Sequence, residues 1–290
     1  MKPNDLKTKL FLDGADPEDT RQAISSMGFL DGQTTNPTLV AKNPKLLERI
    51  SRQKPTQDEL YSFYRGIVEE ISSLIPNGSV SIEVYADQTT DAAEMLKKAE
   101  WMNTWIPNAH IKFPTTRQGI AAAQLATQSG IRVNMTLCFS QEQAAAVYAA
   151  TLGAKKGDVF VSPFIGRLDD IGLNGMDLIK NTVNMYKKGD GHVEVLAASV
   201  RTMAHFDACV ACGADIITAP LKTYNEWVAR GKNVPTSSYV YDVGGLAPIP
   251  FKDFDLTQDW KELNIRHELT DQGIVKFAKD WNGLIGGEVN

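Results

Sequence analysis

Short apolar runs alternate with longer amphipathic stretches along the whole chain. Strand-like runs are KLFLD (9–13), GQTTN (32–36), VSIEVYA (80–86), HIKFP (110–114), RVNMTL (132–137), VFVSP (159–163), VLAASVR (195–201) and DIITAP (215–220). Between them, helical spacing of apolar residues predicts helices at 17–27, 91–103, 118–128, 141–152, 175–187 and 204–212. Helix starts are marked chemically. Asp16-Pro17-Glu18-Asp19 supplies a capping carboxylate, a proline at the first helical position and early acids, and Thr115 with Gln118 reads as a capping box.

Strands alternating with helices imply a parallel sheet, and eight such units predict a closed (β/α)8 barrel. A doubly wound open sheet is the alternative, but no G-x-G-x-x-G follows the first strand. The 290 residues suit one barrel domain spanning 1–290, with no linker or low-complexity stretch dividing it. Two excursions stand outside the repeating units. Residues 53–76 add a helical insertion. A C-terminal extension over 231–290 holds a Pro/Gly and aromatic stretch at 231–262, followed by a last helix near 270–281. The 231–262 stretch is read either as a cover for one barrel mouth or as an ordered surface extension.

The alternation within strands carries the chemistry. Successive strand residues face opposite sides, so Lys112 points away from its neighbours Ile111 and Phe113. In IRVNMTL the apolar set is Ile131, Val133, Met135 and Leu137, against Arg132, Asn134 and Thr136. VSIEVY sets Val80, Ile82 and Val84 against Ser81, Glu83 and Tyr85. Barrel strands turn their apolar face to the surrounding helices, so the polar sets are expected inside, where a merely structural barrel carries branched aliphatics. The same parity sends Asp13, Lys112, Ser162, Ser199 and Arg201 inward near the C-terminal ends of their strands, where barrel active sites lie. One buried polar residue is usually a hydrogen-bonded core group. Seven converging on one mouth read as a site. Asp13 and Glu83 balance the charge of Lys112, and an amine in a partly dry pocket is a candidate Schiff-base nucleophile. The rival, Lys222, lies beyond its strand in LKTYNEW, where helix-start packing or exposure accounts for it.

Composition narrows the partners. The formal charge is −5 and no basic run interleaves with aromatics, so nucleic-acid binding is not expected. The N-terminal MKPNDLKTKLFLDGAD has no long apolar stretch, so neither a secretion signal nor a membrane segment is expected, and the cytoplasm is the expected location. Three cysteines fit a reducing compartment; Cys209 and Cys212 form a lone C-x-x-C read as helix packing. The four histidines, at 110, 192, 205 and 267, have no ligand spacing, so no metal is implied.

LDGQTTNPTLVAK, IKFPTT, GIRVNMTLCFS, VSPFIGRLDD and LAASVR, in this order, resemble the sequence blocks of transaldolases, and LTDQGIVKFAKDW resembles the family's C-terminal helix. The likeness covers nearly the whole chain, and TTNPT and SPFIGRLDD are its most specific parts. It implies a (β/α)8 barrel, a Schiff base on the fourth strand and no cofactor. By resemblance, Lys112 is the Schiff-base lysine, Asp13 the acid/base at the breaking bond, and Glu83 with Thr136 the pair holding a catalytic water. Asn36 and Asn134 match asparagines that orient substrate hydroxyls, Ser162 and Ser199 match substrate-contacting serines, and Arg167 and Arg201 match phosphate-binding arginines. Asn36 is also held extended by Pro37. One departure is Gly14, where many relatives carry Thr or Ser, and it is expected to loosen the pocket.

The reaction the resemblance implies transfers a dihydroxyacetone unit from fructose 6-phosphate or sedoheptulose 7-phosphate to an aldehyde. Sugar phosphates are the expected partners, and a homo-oligomer is left open. Two other functions are weighed: an aldolase of the fructose-6-phosphate type that releases free dihydroxyacetone, and a catalytically silent sugar-phosphate binding barrel. The aldolases that resemble transaldolases tend to carry Gln and Tyr where this chain has Glu83 and Phe164, which favours transfer.

Overall fold

A computed structural model describes residues 1–286. The elements begin β1 (Lys9–Asp13), α1 (Pro17–Met27), β2 (Gly32–Thr34), α2 (Pro37–Ala41), α3 (Pro44–Arg52), α4 (Gln57–Leu74), β3 (Ser79–Glu83), α5 (Ala92–Asn103), β4 (Ala109–Pro114) and α6 (Arg117–Gln128). They continue β5 (Val133–Cys138), α7 (Gln141–Ala150), β6 (Val159–Pro163), α8 (Ile165–Asp169), α9 (Gly175–Tyr186), β7 (Val193–Ala197), α10 (Met203–Cys212), β8 (Ile216–Ala219), α11 (Leu221–Ala229) and α12 (Glu268–Asn282). The eight strands are parallel and close in sequence order, β8 pairing with β1, which makes a (β/α)8 barrel with additional helices.

Parity works as physics requires. Leu10, Leu12, Ile82, Ile111, Val133, Met135, Val161 and Ile217 are buried in the layer between barrel and helices. Phe11, Phe160, Leu196, Ala198 and Ile216 form a separate apolar plug inside the barrel, with the Phe11 and Phe160 rings edge to face at 5.9 Å. Gly32 makes room for that plug: a Cβ there would meet the Phe11 ring at 2.6 Å. Above the plug the interior is polar.

Capping fixes the helix starts. Asp16 accepts from the Glu18 amide and begins α1 at Pro17. At α6 the expected capping box at Thr115 and Gln118 is replaced. Thr116 is the N-cap and accepts from Gly119 N at 3.0 Å, while the Thr115 hydroxyl donates to Thr136 O and the Gln118 side chain accepts from Ala92 N. The hydroxyl at 115 is claimed by the neighbouring strand, so the cap moves one residue on.

The helical insertion begins earlier than 53, because α2 and α3 already fill 37–52 before α4. No residue of the 231–262 stretch lines the cavity at the strand ends, although its Ile249 packs against the apolar cluster beside it. The stretch runs along the outer helices: Pro250 O accepts from Gln141, Ile249 O accepts from Asn181, and Trp260 donates to Gln124. Residues 287–290 of the expected extension lie outside the described residues. The mouth is instead flanked by α12, whose Ile274 and Phe277 pack with Leu137, Phe139, Leu168 and Leu178. Gln143 holds it there, donating to Thr115 O, Ile265 O and Thr270 Oγ1, and Thr270 donates on to Leu137 O. No helix among the described residues is long and apolar enough to cross a membrane.

Candidate active site

A cavity of about 190 Å³ opens at the C-terminal ends of the strands. Asp13, Asn36, Lys112, Asn134, Thr136, Ser162, Phe164, Arg167 and Ser199 all line it. Among the expected site residues, Glu83 lies just behind this wall and Arg201 stands apart from it.

Lys112 and Glu83 face each other from neighbouring strands in register, Nζ 2.8 Å from Oε2, with both side chains 5 % exposed. Lys112 Nζ also donates to Thr35 O at 2.9 Å. Burial pushes the Glu83 carboxyl above its ordinary range, and Lys112 works against that shift. Thr136 Oγ1 is buried and has no hydrogen-bond partner among the described residues, whereas Glu83 Oε2 is engaged by Lys112 Nζ. A buried hydroxyl without a partner in this wall calls for a guest with hydrogen-bonding capacity.

Asp13 sits at the end of β1, half-buried, and accepts from Thr34 Oγ1 at 2.9 Å. Desolvation raises its pKa, while Lys112, the Thr34 hydroxyl and Lys42 pull it back down. Asn134 is held from both sides, donating to Ser81 Oγ at 3.1 Å and accepting from Ser162 Oγ at 2.6 Å. Asn36 is extended at φ −158° and caps α2 through its carbonyl oxygen, which accepts from Leu39 N and leaves the amide nitrogen for the cavity. Gly14 does not touch this wall. A Cβ there would lie 3.8 Å from Leu12 and 3.9 Å from Gln33, toward the helix layer, so its expected loosening of the pocket has no structural basis.

The two arginines differ in placement. The Arg167 guanidinium lies over the Phe164 and Phe277 rings at 5.2 and 5.4 Å, and burial draws its pKa down. Arg201, expected inside the barrel, follows the end of β7 and makes a two-pronged ion pair with Asp170 through both terminal nitrogens. Parity ceases to govern it, because Ser199 has already left the strand with φ 56°. Two other inward expectations also fail at strand ends: Arg132 donates to Pro107 O, and Tyr85 donates to Asp87 while accepting from Asn282. Lys222 is exposed on α11. Cys209 is buried with its sulfur 3.7 Å from that of Met176. Among the described residues no three His, Cys, Asp or Glu are grouped to hold a metal ion.

Sequence reasoning missed eight lining residues: Thr34, Thr38, Leu39, Leu196, Ala198, Thr218, Lys276 and Phe277. Thr218 carried the same signal as Lys112, a polar residue between apolar outward neighbours, whereas Thr34 lies between the polar Gln33 and Thr35 and carried none. Those on α2 and α12 carried none, since helix docking over the mouth is a long-range event.

The family model described as transaldolase/fructose-6-phosphate aldolase matches residues 10–287. A probable transaldolase of Dehalococcoides mccartyi is 35 % identical over 276 residues, covering 95 % of this chain and 99 % of its own. Probable transaldolases of Brucella ovis and Sinorhizobium medicae are each 34 % identical over 273 residues, covering 94 % of this chain and 96 % of theirs. With a matched barrel, an interior lysine–glutamate pair and likeness over nearly its full length, the chain belongs to the transaldolase/fructose-6-phosphate aldolase family.

Proposed function

We propose that the protein is a transaldolase, moving a dihydroxyacetone unit from a ketose phosphate such as fructose 6-phosphate or sedoheptulose 7-phosphate to an aldehyde acceptor through a Schiff base on Lys112. The observation that carries this reading is the buried Lys112–Glu83 pair beside the unpartnered Thr136 hydroxyl, with a phenyl ring and no hydroxyl at Phe164.

Lys112 Nζ attacks the C2 carbonyl of the ketose, and the carbonyl oxygen leaves as water after proton transfers assisted by Glu83 and Thr136. Asp13 takes the proton of the C4 hydroxyl as the C3–C4 bond breaks. The bond's electron pair flows to the iminium nitrogen, leaving an enamine on Lys112, and the aldehyde departs. The enamine carbon then attacks the acceptor aldehyde, Asp13 returns its proton to the new alkoxide, and water releases the product ketose. Asn134, fixed by Ser81 and Ser162, and the free amide of Asn36 are donors for substrate hydroxyls. Arg167, over its two rings, meets the anionic end of the sugar.

Transfer and simple cleavage differ in the lifetime of the enamine. A hydroxyl at 164 would add a donor to place water for protonating it, and Phe164 supplies none, so the three-carbon unit waits for an acceptor. Fructose 6-phosphate should be consumed rapidly only when erythrose 4-phosphate or another acceptor aldehyde is present, and Phe164→Tyr should raise release of free dihydroxyacetone. Rapid release by the unaltered protein without acceptor would move it to the aldolase reading.

A further inference from the structure

On β8, Thr218 stands between the outward Ile217 and Ala219, as Lys112 stands between Ile111 and Phe113 on β4. It is buried, it lines the cavity, and its hydroxyl lies 2.6 Å from Thr34 Oγ1. Thr34 in turn lies 2.9 Å from Asp13 Oδ1. The direction of this chain is fixed by proton counting. A carboxylate only accepts, so the single proton of Thr34 goes to Asp13, and the Thr34–Thr218 contact has to use the proton of Thr218. Among the described residues no donor reaches Asp13 Oδ2.

The geometry points to Thr218 as a positioning residue for the base of the reaction: by donating to Thr34 it obliges Thr34 to donate to Asp13 Oδ1, which leaves Oδ2 to take the proton. This rests on the proposed role of Asp13. Without Thr218's proton, Thr34 no longer has a donor that fixes and polarises its hydroxyl, so its bond to Asp13 is weaker and less well oriented and Asp13 loses part of the support for its charged form. When Oδ2 is protonated after bond cleavage, Oδ1 remains an acceptor, so the chain keeps its direction through the cycle. The other groups acting on Asp13 are Lys112 from β4, Lys42 after α2, Glu83 from β3 and the Tyr224 hydroxyl from α11. None of them is altered by a change at 218.

The test compares Thr218→Val, which keeps the shape, with Thr218→Ser, which keeps the hydroxyl, in the full chain with fructose 6-phosphate and erythrose 4-phosphate. In Thr218→Val, kcat should fall about 3- to 10-fold, the size of one net hydrogen bond, with KM little changed. The acid limb of its kcat–pH profile should move to higher pH, because the ionised Asp13 has lost support. Borohydride trapping on Lys112 should persist, since that step precedes proton removal by Asp13. Thr218→Ser should restore both rate and limb. Should Thr218→Val not fold, Thr218→Ala gives the same readouts without adding volume. An unmoved kcat and acid limb in Thr218→Val, or a Ser variant as impaired as Val, overturns the inference. Asp13→Asn separates the two levels: if it stays active, the base assignment itself is wrong, whereas a dead Asp13→Asn with an unaffected Thr218→Val removes only the positioning role.

Discussion

Lys112 and Glu83 are register partners on β4 and β3, and their charged ends meet at 2.8 Å with both side chains almost fully buried. Neither charge has an alternative partner of opposite sign in contact among the described residues, so the two are one electrostatic unit. Removing one member of a buried pair costs about 3–5 kcal/mol through the charge left behind. This couples the chemistry of the site to the stability of the barrel.

Lys112→Met should therefore abolish turnover and borohydride labelling, and it should also destabilise the protein in a pH-dependent way. Burial already raises the Glu83 pKa, and Lys112 opposes that rise. With Lys112 gone, the folded protein holds a proton on Glu83 that the unfolded chain releases above its ordinary value of 4.5. Stability then falls as pH climbs from that value through the folded pKa. Urea melts at pH 5 and pH 8 should show the larger deficit at pH 8, and Lys112→Met with Glu83→Gln should remove most of the pH dependence. A deficit equal at both pH values would mean that Glu83 is not the group left uncompensated.

Arg167→Ala should raise KM for fructose 6-phosphate about 10- to 100-fold, the equivalent of one or two charge-assisted hydrogen bonds. Unphosphorylated fructose should be little affected. Arg167 pairs with no carboxylate among the described residues and rests on Phe164 and Phe277, so its charge is available to the substrate. Equal losses with both sugars would assign it to packing α12.

Asp170 and Arg201 should behave as a competitor and its captive. Both side chains are about half exposed, and such an ion pair contributes only about 0–1 kcal/mol, so a phosphate can draw Arg201 away. Asp170→Asn should lower KM for phosphorylated ketoses a few-fold, and Arg201→Ala should raise it less than Arg167→Ala does. If Asp170→Asn raises KM, the carboxylate is holding Arg201 in its working position.

Gly166→Ala should impair the same rim through backbone contact. A Cβ at 166 would lie 2.8 Å from Ser199 O and would press into the Arg201 side chain. Ser199 already occupies the left-handed region. The variant should lose about 1–3 kcal/mol of stability, as overpacking does, and raise KM for fructose 6-phosphate. Unchanged melting and kinetics would show that α8 gives way freely.

The eight strands, their inward residues and most helix starts were legible in the chain because they follow from short-range rules. Alternation put Lys112, Glu83, Asn134 and Ser162 inside, and Asp16 and Pro17 began α1 at the expected residue. The rules stopped where strands stop. Arg201 was assigned inward by counting two residues beyond Ser199, but the chain turns at Ser199 and Asp170 takes the guanidinium. Thr115 looked like a cap until Thr136 O from the adjacent strand claimed its hydroxyl, leaving Thr116 to begin α6. Only tertiary packing chose the helix beside the mouth. Gln143, Thr270 and the Leu137–Phe277 cluster lock α12 there, while the aromatic stretch at 231–262 binds the outer helices. Period and capping act over a few residues, whereas the docking of α12 beside the mouth and the hydroxyl contact between Thr218 and Thr34 join positions 133 to 184 residues apart, which local pattern does not encode.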